Sequence, residues 1–422
     1  MSSAPRIDEL TAQRDRALRD YEALVERGLS LNLTRGKPSA QQLDLSNALL
    51  GLPGGHTAAD GTDCRNYGGL AGLAEMSALF SGFLQVPAAQ LVAAGNSSLA
   101  LMHDSIVHAL FSRLPGAERR WADEPRIAFL CPVPGYDRHF ALCERFGIEM
   151  IPVPMTAEGP DMDVVERLVA QDPAVKGIWC VPKYSNPDGV CYSDETVRRL
   201  AAMTTAAPDF RIFWDNAYTV HHLTDAPVEI ADLPAACAES GNPDRVLVYG
   251  STSKITWAGA GVAFFGSSPA NVAWFIGHTG KRTIGPDKIN QLRHVALLRD
   301  EEGVREHMRR HAELIRPKFE VVDRILTEEL GGTGLATWST PAGGYFICLE
   351  VPDGCAREVV SRAARAGIAL TPAGATHPYG KDPRDRTIRI APTYPDLKEV
   401  ELAISGLATC VRLVGTEKLL ES

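Results

Sequence analysis

Short apolar runs alternate with segments of helical period along residues 90–270. The runs at 126–130, 177–181, 210–214, 246–249 and 261–265 are rich in Ile, Val, Phe, Leu and Trp. Nearly unbroken apolar runs of this length predict strands buried on both faces, and segments such as 98–110 and 193–204 predict the helices between them. Strand and helix in alternation predict an α/β fold, a mostly parallel sheet of about seven strands between helices. Ligands of such folds sit at the carboxyl ends of the strands. Residues 7–27 predict a polar amphipathic helix, followed by the turn-rich Thr34-Arg35-Gly36-Lys37-Pro38-Ser39. Residues 301–330 are charged at helical spacing and predict a long connecting helix. Beyond it come a strand at 344–351, a helix at 357–366, a strand at 387–390 and a last helix from about 396, which together predict a smaller α+β domain. The expected division is an N-terminal segment, 1–50, packing with the small domain, a large domain, 51–305, and the small domain, 306–422.

Composition narrows the class. With 422 residues, 45% hydrophobic and 23% charged, the chain can bury cores without disulfides or metals. A net charge of −9 and the lack of any Lys/Arg run argue against a nucleic-acid surface. Nine cysteines with no C-x-x-C pair fit a reduced, cytoplasmic chain. The N-terminus is too polar for a signal peptide, and no apolar run reaches the roughly 18 residues of a membrane span.

The candidate chemistry clusters at strand ends. Lys254, in Ser251-Thr252-Ser253-Lys254, follows the run 246–249 directly. A lysine there can form a Schiff base if its surroundings lower its pKa, and Ser251 and Ser253 offer hydroxyls to a phosphate. Taken singly, Lys254 reads more readily as an exposed loop lysine beside a helix cap. Gly259-Ala260-Gly261 lacks the third glycine of a dinucleotide site, since position 264 is Phe264. The run 210–214 ends in Asp215-Asn216-Ala217-Tyr218, which places a carboxylate and a phenol at one strand end; Asp215 alone would also serve as a helix cap. Asn186-Pro187-Asp188-Gly189 follows the run 177–181 and by itself is a turn. Gly95-Asn96-Ser97 opens a helix, whose free N–H groups suit an anion. One lysine, one aspartate, one tyrosine, one asparagine and one small-polar helix start at the ends of one sheet meet the needs of pyridoxal phosphate. His221-His222 has no third partner at metal-ligand spacing, so no metal site is expected.

With these motifs in this order, the chain resembles the fold-type-I pyridoxal-phosphate enzymes, aminotransferase class I/II, over nearly its whole length. The wording LTRGKPS, RNYGGLAG, VPGYDRHF and STSKITWAGAG is similar to the aspartate aminotransferases of subgroup Ic, which are akin to the MocR aminotransferase domain. With Gly36 already in the catalytic part, no winged-helix module is expected ahead of it. The resemblance implies that Lys254 is the Schiff-base lysine, Asp215 the partner of the pyridine nitrogen, and Tyr218 and Asn186 the partners of the phenolic oxygen. It implies that Tyr136 stacks on the ring, with His139 against Asp215. Gly95, Asn96, Ser97, Ser251 and Ser253 fall at the phosphate, and Tyr67 reaches the phosphate of a partner subunit in a homodimer. Gly36 lies near the substrate, and Arg389 clamps its α-carboxylate; Arg386 is the rival for that role, out of phase on the same strand.

One departure stands out. The family usually carries a phosphate-binding arginine eight residues after the lysine; here that position is Val262. Lys281 or Arg282, from this chain or a partner, are the candidates to replace it. The cation for a substrate side-chain carboxylate has no recognisable motif; Arg35, Lys183, Lys281 and Arg282 are candidates. The activity implied is transfer of an amino group between L-aspartate and 2-oxoglutarate, with an aminotransferase for 2-aminoadipate or aromatic amino acids, a carbon–sulfur β-lyase, and a non-catalytic sensing domain as alternatives.

Overall fold

Every apolar run singled out above becomes a strand of one large sheet. The structure, a computed structural model, describes residues 3–421. Across the sheet the order is Leu91–Ala93, Ala263–Gly266, Val246–Ser251, Arg211–Asp215, Val175–Cys180, Ala128–Val133, Glu149–Thr156 and the two-residue Gly159–Pro160. Neighbours from Val246–Ser251 to Glu149–Thr156 pair in parallel. Ala263–Gly266 runs antiparallel to both of its neighbours, and Gly159–Pro160 antiparallel to its one.

Alternate residues along the central strands feed cores on opposite faces, as the two-residue period of a strand requires. Ile212, Trp214 and Val248 join one cluster; Phe213, Leu247 and Tyr249 join the other. Burial of each such side chain contributes roughly 1.5–3 kcal/mol. The helices Ser98–Phe111 and Asp194–Ala202 fall where the period places them. The strand Glu149–Thr156 escapes the pattern, because Pro152 and Pro154 remove ladder donors. It tolerates them near the sheet's edge, where its outer neighbour is only two residues long.

A third cluster gathers Tyr21, Leu24 and Leu33 with Val322, Ile388 and Leu407. It lies beneath a three-stranded antiparallel sheet, Thr337–Trp338, Ile347–Glu350 and Thr387–Ile390. Leu31–Leu33 pairs in parallel with Ile368–Leu370, which ties the N-terminal segment to the C-terminal part. The helix Ser3–Glu26 packs along Leu397–Glu421, and Tyr21 Oη donates to the Arg362 carbonyl at 3.2 Å. The 30-residue helix Glu301–Leu330 links this cluster to the large sheet. Among the described residues, no helix is long and apolar enough to cross a membrane.

Candidate active site

Three parallel strands deliver the main groups. Val246–Ser251 ends three residues before Lys254, Arg211–Asp215 ends in its carboxylate, and Val175–Cys180 leads to Asn186. Lys254 is half-buried, and its Nζ lies 4.8 Å from the centre of the Tyr218 ring. Removal of the amine from water lowers its pKa, while the Asp215 charge acts in the opposite direction. Burial pushes the Tyr218 phenol well up, with the charges of Tyr136 and Asp215 adding to it.

Asp215 is buried and half-satisfied. Its Oδ2 accepts from His139 Nε2 at 3.1 Å, whereas its Oδ1 has no partner. His139 is stacked on Trp179 with ring centres 4.3 Å apart, so the imidazole that orients the carboxylate is itself fixed. Tyr136 meets His139 edge-on at 4.9 Å, and burial, followed by the Asp215 charge, raises its phenol to about 12.

Arg389 faces the same space from the three-stranded sheet. Its Nη1 donates to Asp137 Oδ1 at 2.8 Å and to Asn186 Oδ1 at 3.3 Å, and Nη2 donates to Thr371 Oγ1 at 3.3 Å. Its Nε is buried without a partner. The guanidinium lies over the Phe346 ring at 5.0 Å, and that ring also explains Gly36, where a Cβ would come within 2.4 Å of it. Arg386 turns the other way and pairs with Glu350.

Gly95, Asn96, Ser97, Ser251 and Ser253 lie together. Ser253 Oγ donates to the Asn96 carbonyl at 3.0 Å, Asn96 Nδ2 donates to the Gly259 carbonyl at 3.0 Å, and the Gly95 carbonyl accepts from Ala263 N–H. Ser251 Oγ accepts from the Ser253 N–H, and Ser97 caps the helix Ser98–Phe111. Val262 is buried in the core, and its N–H donates to Thr252 Oγ1. Arg282 pairs with Asp104 of that same helix, and Lys281 and Arg35 are exposed. Lys183 lines a separate cavity. Tyr67 is 81% exposed.

The motifs did not disclose the support behind Lys254. Its carbonyl accepts from Tyr345 Oη at 3.4 Å and lies 3.3 Å from His221 Nε2, and His307 Nε2 donates to the Ile255 carbonyl at 2.8 Å. Gln42 Nε2 reaches both His311 Nδ1 and Tyr345 Oη. Burial keeps His221, His307 and His311 below the usual imidazole range. His222 turns to Tyr184 Oη at 2.7 Å. Only Gln42 carried a local signal, since Ser39 and Gln42 form the S-x-x-Q capping box of a short helix. Asp137 and Thr371 gave none.

The profile of a family described as Aspartate amino-transferase matches residues 5–422. A putative aminotransferase of Mycolicibacterium smegmatis is 55% identical over 98% of this chain and 97% of its own length. An aspartate aminotransferase of Corynebacterium glutamicum is 49% identical over 94% of this chain and 93% of its own. The crystal structure of an aspartate transaminase from Corynebacterium glutamicum superposes with a TM-score of 0.95 at 48% identity, covering 97% of each chain.

Proposed function

We propose, given that this chain belongs to the aspartate aminotransferase family, that it moves an amino group between L-aspartate and 2-oxoglutarate to give oxaloacetate and L-glutamate. The chain is a pyridoxal-phosphate transaminase of fold type I, acting on an amino acid and an oxo acid. The choice of dicarboxylates is supported by the name of the Corynebacterium glutamicum relative.

The observation that carries the site reading is the unpartnered, buried Asp215 Oδ1 of a carboxylate close enough for its charge to act on the Lys254 amine. Pyridoxal phosphate fits these residues, because its ring nitrogen would satisfy that oxygen. Bound there, the cofactor supplies an aldehyde carbon for the amino group and an electron-withdrawing ring. Asp215, oriented by His139, holds a proton at the ring nitrogen. Lys254 Nζ holds the cofactor at rest and then moves the proton of the substrate Cα, a task that suits an amine whose pKa is lowered by burial. Tyr136 would cover the ring face, and Asn186 and Tyr218 would hold the phenolic oxygen. The N–H groups and hydroxyls of Gly95, Asn96, Ser97, Ser251 and Ser253 take the phosphate. Arg389 offers its unpartnered Nε, together with Nη2, to the α-carboxylate, and Gly36 leaves room for Phe346 beneath that guanidinium.

The test is the absorbance of the purified holoenzyme. Excess L-aspartate should convert the cofactor band to that of its amino form, 2-oxoglutarate should restore it, and Lys254→Ala should abolish both changes. A band that ignores aspartate but answers 2-aminoadipate or an aromatic amino acid would replace the substrate and keep the transaminase.

A further inference from the structure

A second cavity, of about 540 Å³, lies behind the segment that carries Asp215 and Tyr218. Its walls are the end of the helix Ala74–Leu84, residues 216–230 and the first half of the helix Glu301–Leu330. Phe83, Val220, Ile230, Met308 and Ala312 make much of this lining apolar. Apart from Lys183, which the sequence offered as one candidate cation for a substrate side chain, none of the residues read above as holding cofactor or substrate lines it. Successive residues of the 215–222 segment divide between the two spaces. Asp215, Tyr218 and His221 serve the Lys254 side, whereas Asn216, Thr219 and His222 line the rear cavity.

Lys183 sets this cavity apart from a packing defect. It lines the cavity and is only 4% exposed. Among the described residues it makes no hydrogen bond or ion pair; its ammonium lies 5.9 Å from the Tyr184 ring. Burial lowers its pKa, and the carboxylate that acts on it, Glu229, is exposed and not in ion-pair contact. Of the wall's arginines, Arg305 pairs with Glu301 and Arg309 with Glu302 and Glu306, whereas Arg316 gives Nη2 to Asp225 at 2.9 Å and keeps a buried Nε without a partner. The Lys183 Nζ is not sealed from solvent, so the ammonium opens into the cavity, where an anion would offset the cost of its desolvation. The room beside this one is large enough for a small organic molecule, and it sets an apolar patch next to the charged groups.

We propose that this cavity is a second small-molecule site, which takes a monocarboxylate with an apolar body, the carboxylate on Lys183 and the body against Phe83, Val220 and Met308. The basic lining residues Lys183, Arg305, Arg309 and Arg316 are matched by the acidic Asp225, Glu229, Glu301 and Glu313, a balance that disfavours a dianion. The site is therefore distinct in charge from one for dicarboxylate substrates, and it stands whether or not the substrate reading above holds.

The probe is 3-phenylpropanoate, which has neither an amino nor an oxo group to exchange. It is titrated calorimetrically into the holoenzyme and into its Arg389→Ala, Lys183→Met and Ala312→Phe variants. Binding is expected to survive Arg389→Ala and to weaken at least tenfold in Lys183→Met and in Ala312→Phe, which fills the cavity from the opposite wall. The same probe should protect Lys183 of the unmodified holoenzyme from acetic anhydride, read by peptide mass spectrometry, a measurement that needs no variant to fold. Excess succinate should leave that protection in place. Absence of binding, loss of binding in Arg389→Ala with retention in Lys183→Met, or failure to protect Lys183 would each overturn the proposal.

Discussion

On the proposed reading of the site, two carboxylates would share the Arg389 guanidinium, Asp137 from the protein and the α-carboxylate of the substrate. Asp137 holds Nη1, Thr371 holds Nη2 from the other side, and the unpartnered Nε is left for the substrate. On that reading Asp137 has two opposed effects: it aims the arginine, and its charge would repel the incoming α-carboxylate. The two separate by substitution. Asp137→Asn keeps an oxygen acceptor in nearly the same shape and removes the charge, so KM for the amino acid should fall by roughly three- to tenfold with kcat little changed. Asp137→Ala removes the aim as well, and KM should rise. Steady-state kinetics of both variants decide the matter; a rise in KM for both would mean that the charge itself is needed to hold Arg389. The sequence singled out Arg389 through its motif and its strand phase, but gave no sign of Asp137, which bonds to it. An aspartate that opens a helix beside a tyrosine has the same local pattern whether or not an arginine 252 residues away bonds to it.

Among the elements, those whose two faces are alike were the easiest to read. Val246–Ser251 and Arg211–Asp215 are buried throughout or nearly so, and their apolar runs announce it. Glu149–Thr156 was hidden by its prolines, and Leu91–Ala93 is too short to carry a period. The short helix Ala40–Asp44 matters out of proportion to its five residues. Gln42 closes its capping box, with Oε1 accepting from the Ser39 N–H, and at the same time donates to Tyr345 Oη, which bonds the Lys254 carbonyl. The N-terminal segment is thereby joined to the lysine loop through a chain of polar groups that is buried up to Tyr345 and half-buried at Lys254. Gln42→Ala would leave Tyr345 and His311 without that partner. It should lower the unfolding free energy by about 1–3 kcal/mol, measured by urea denaturation of the holoenzyme. A change well below 1 kcal/mol would show that His311 and Tyr345 find other partners.

The whole molecule leaves one assigned residue without a target. Tyr67 is 81% exposed, and Ile284, on the adjoining segment, is 61% exposed. The two segments are held together: Lys288 Nζ donates to the carbonyls of Asn66 and Gly68, and Gly285 packs so closely on Gly68 that a Cβ would lie 2.4 Å from its oxygen. An ordered, apolar, outward-facing tyrosine suits a surface that a second copy covers, and at Val262 the chain lacks the usual arginine for its own phosphate end. These features support a two-fold dimer in which Tyr67 completes the partner's phosphate site. Composite sites have a consequence that independent sites lack. A Lys254→Ala subunit still presents an intact Tyr67, and a Tyr67→Ala subunit still presents an intact Lys254. In a mixed dimer, one site receives both defects and the other receives neither. Mixing the two weakened homodimers under conditions of subunit exchange should therefore raise activity above the sum of the separate preparations, towards about one quarter of the unmodified enzyme for random pairing. If Tyr67 served its own subunit, every site in the mixture would keep one defect, and the activity would stay at the average of the two.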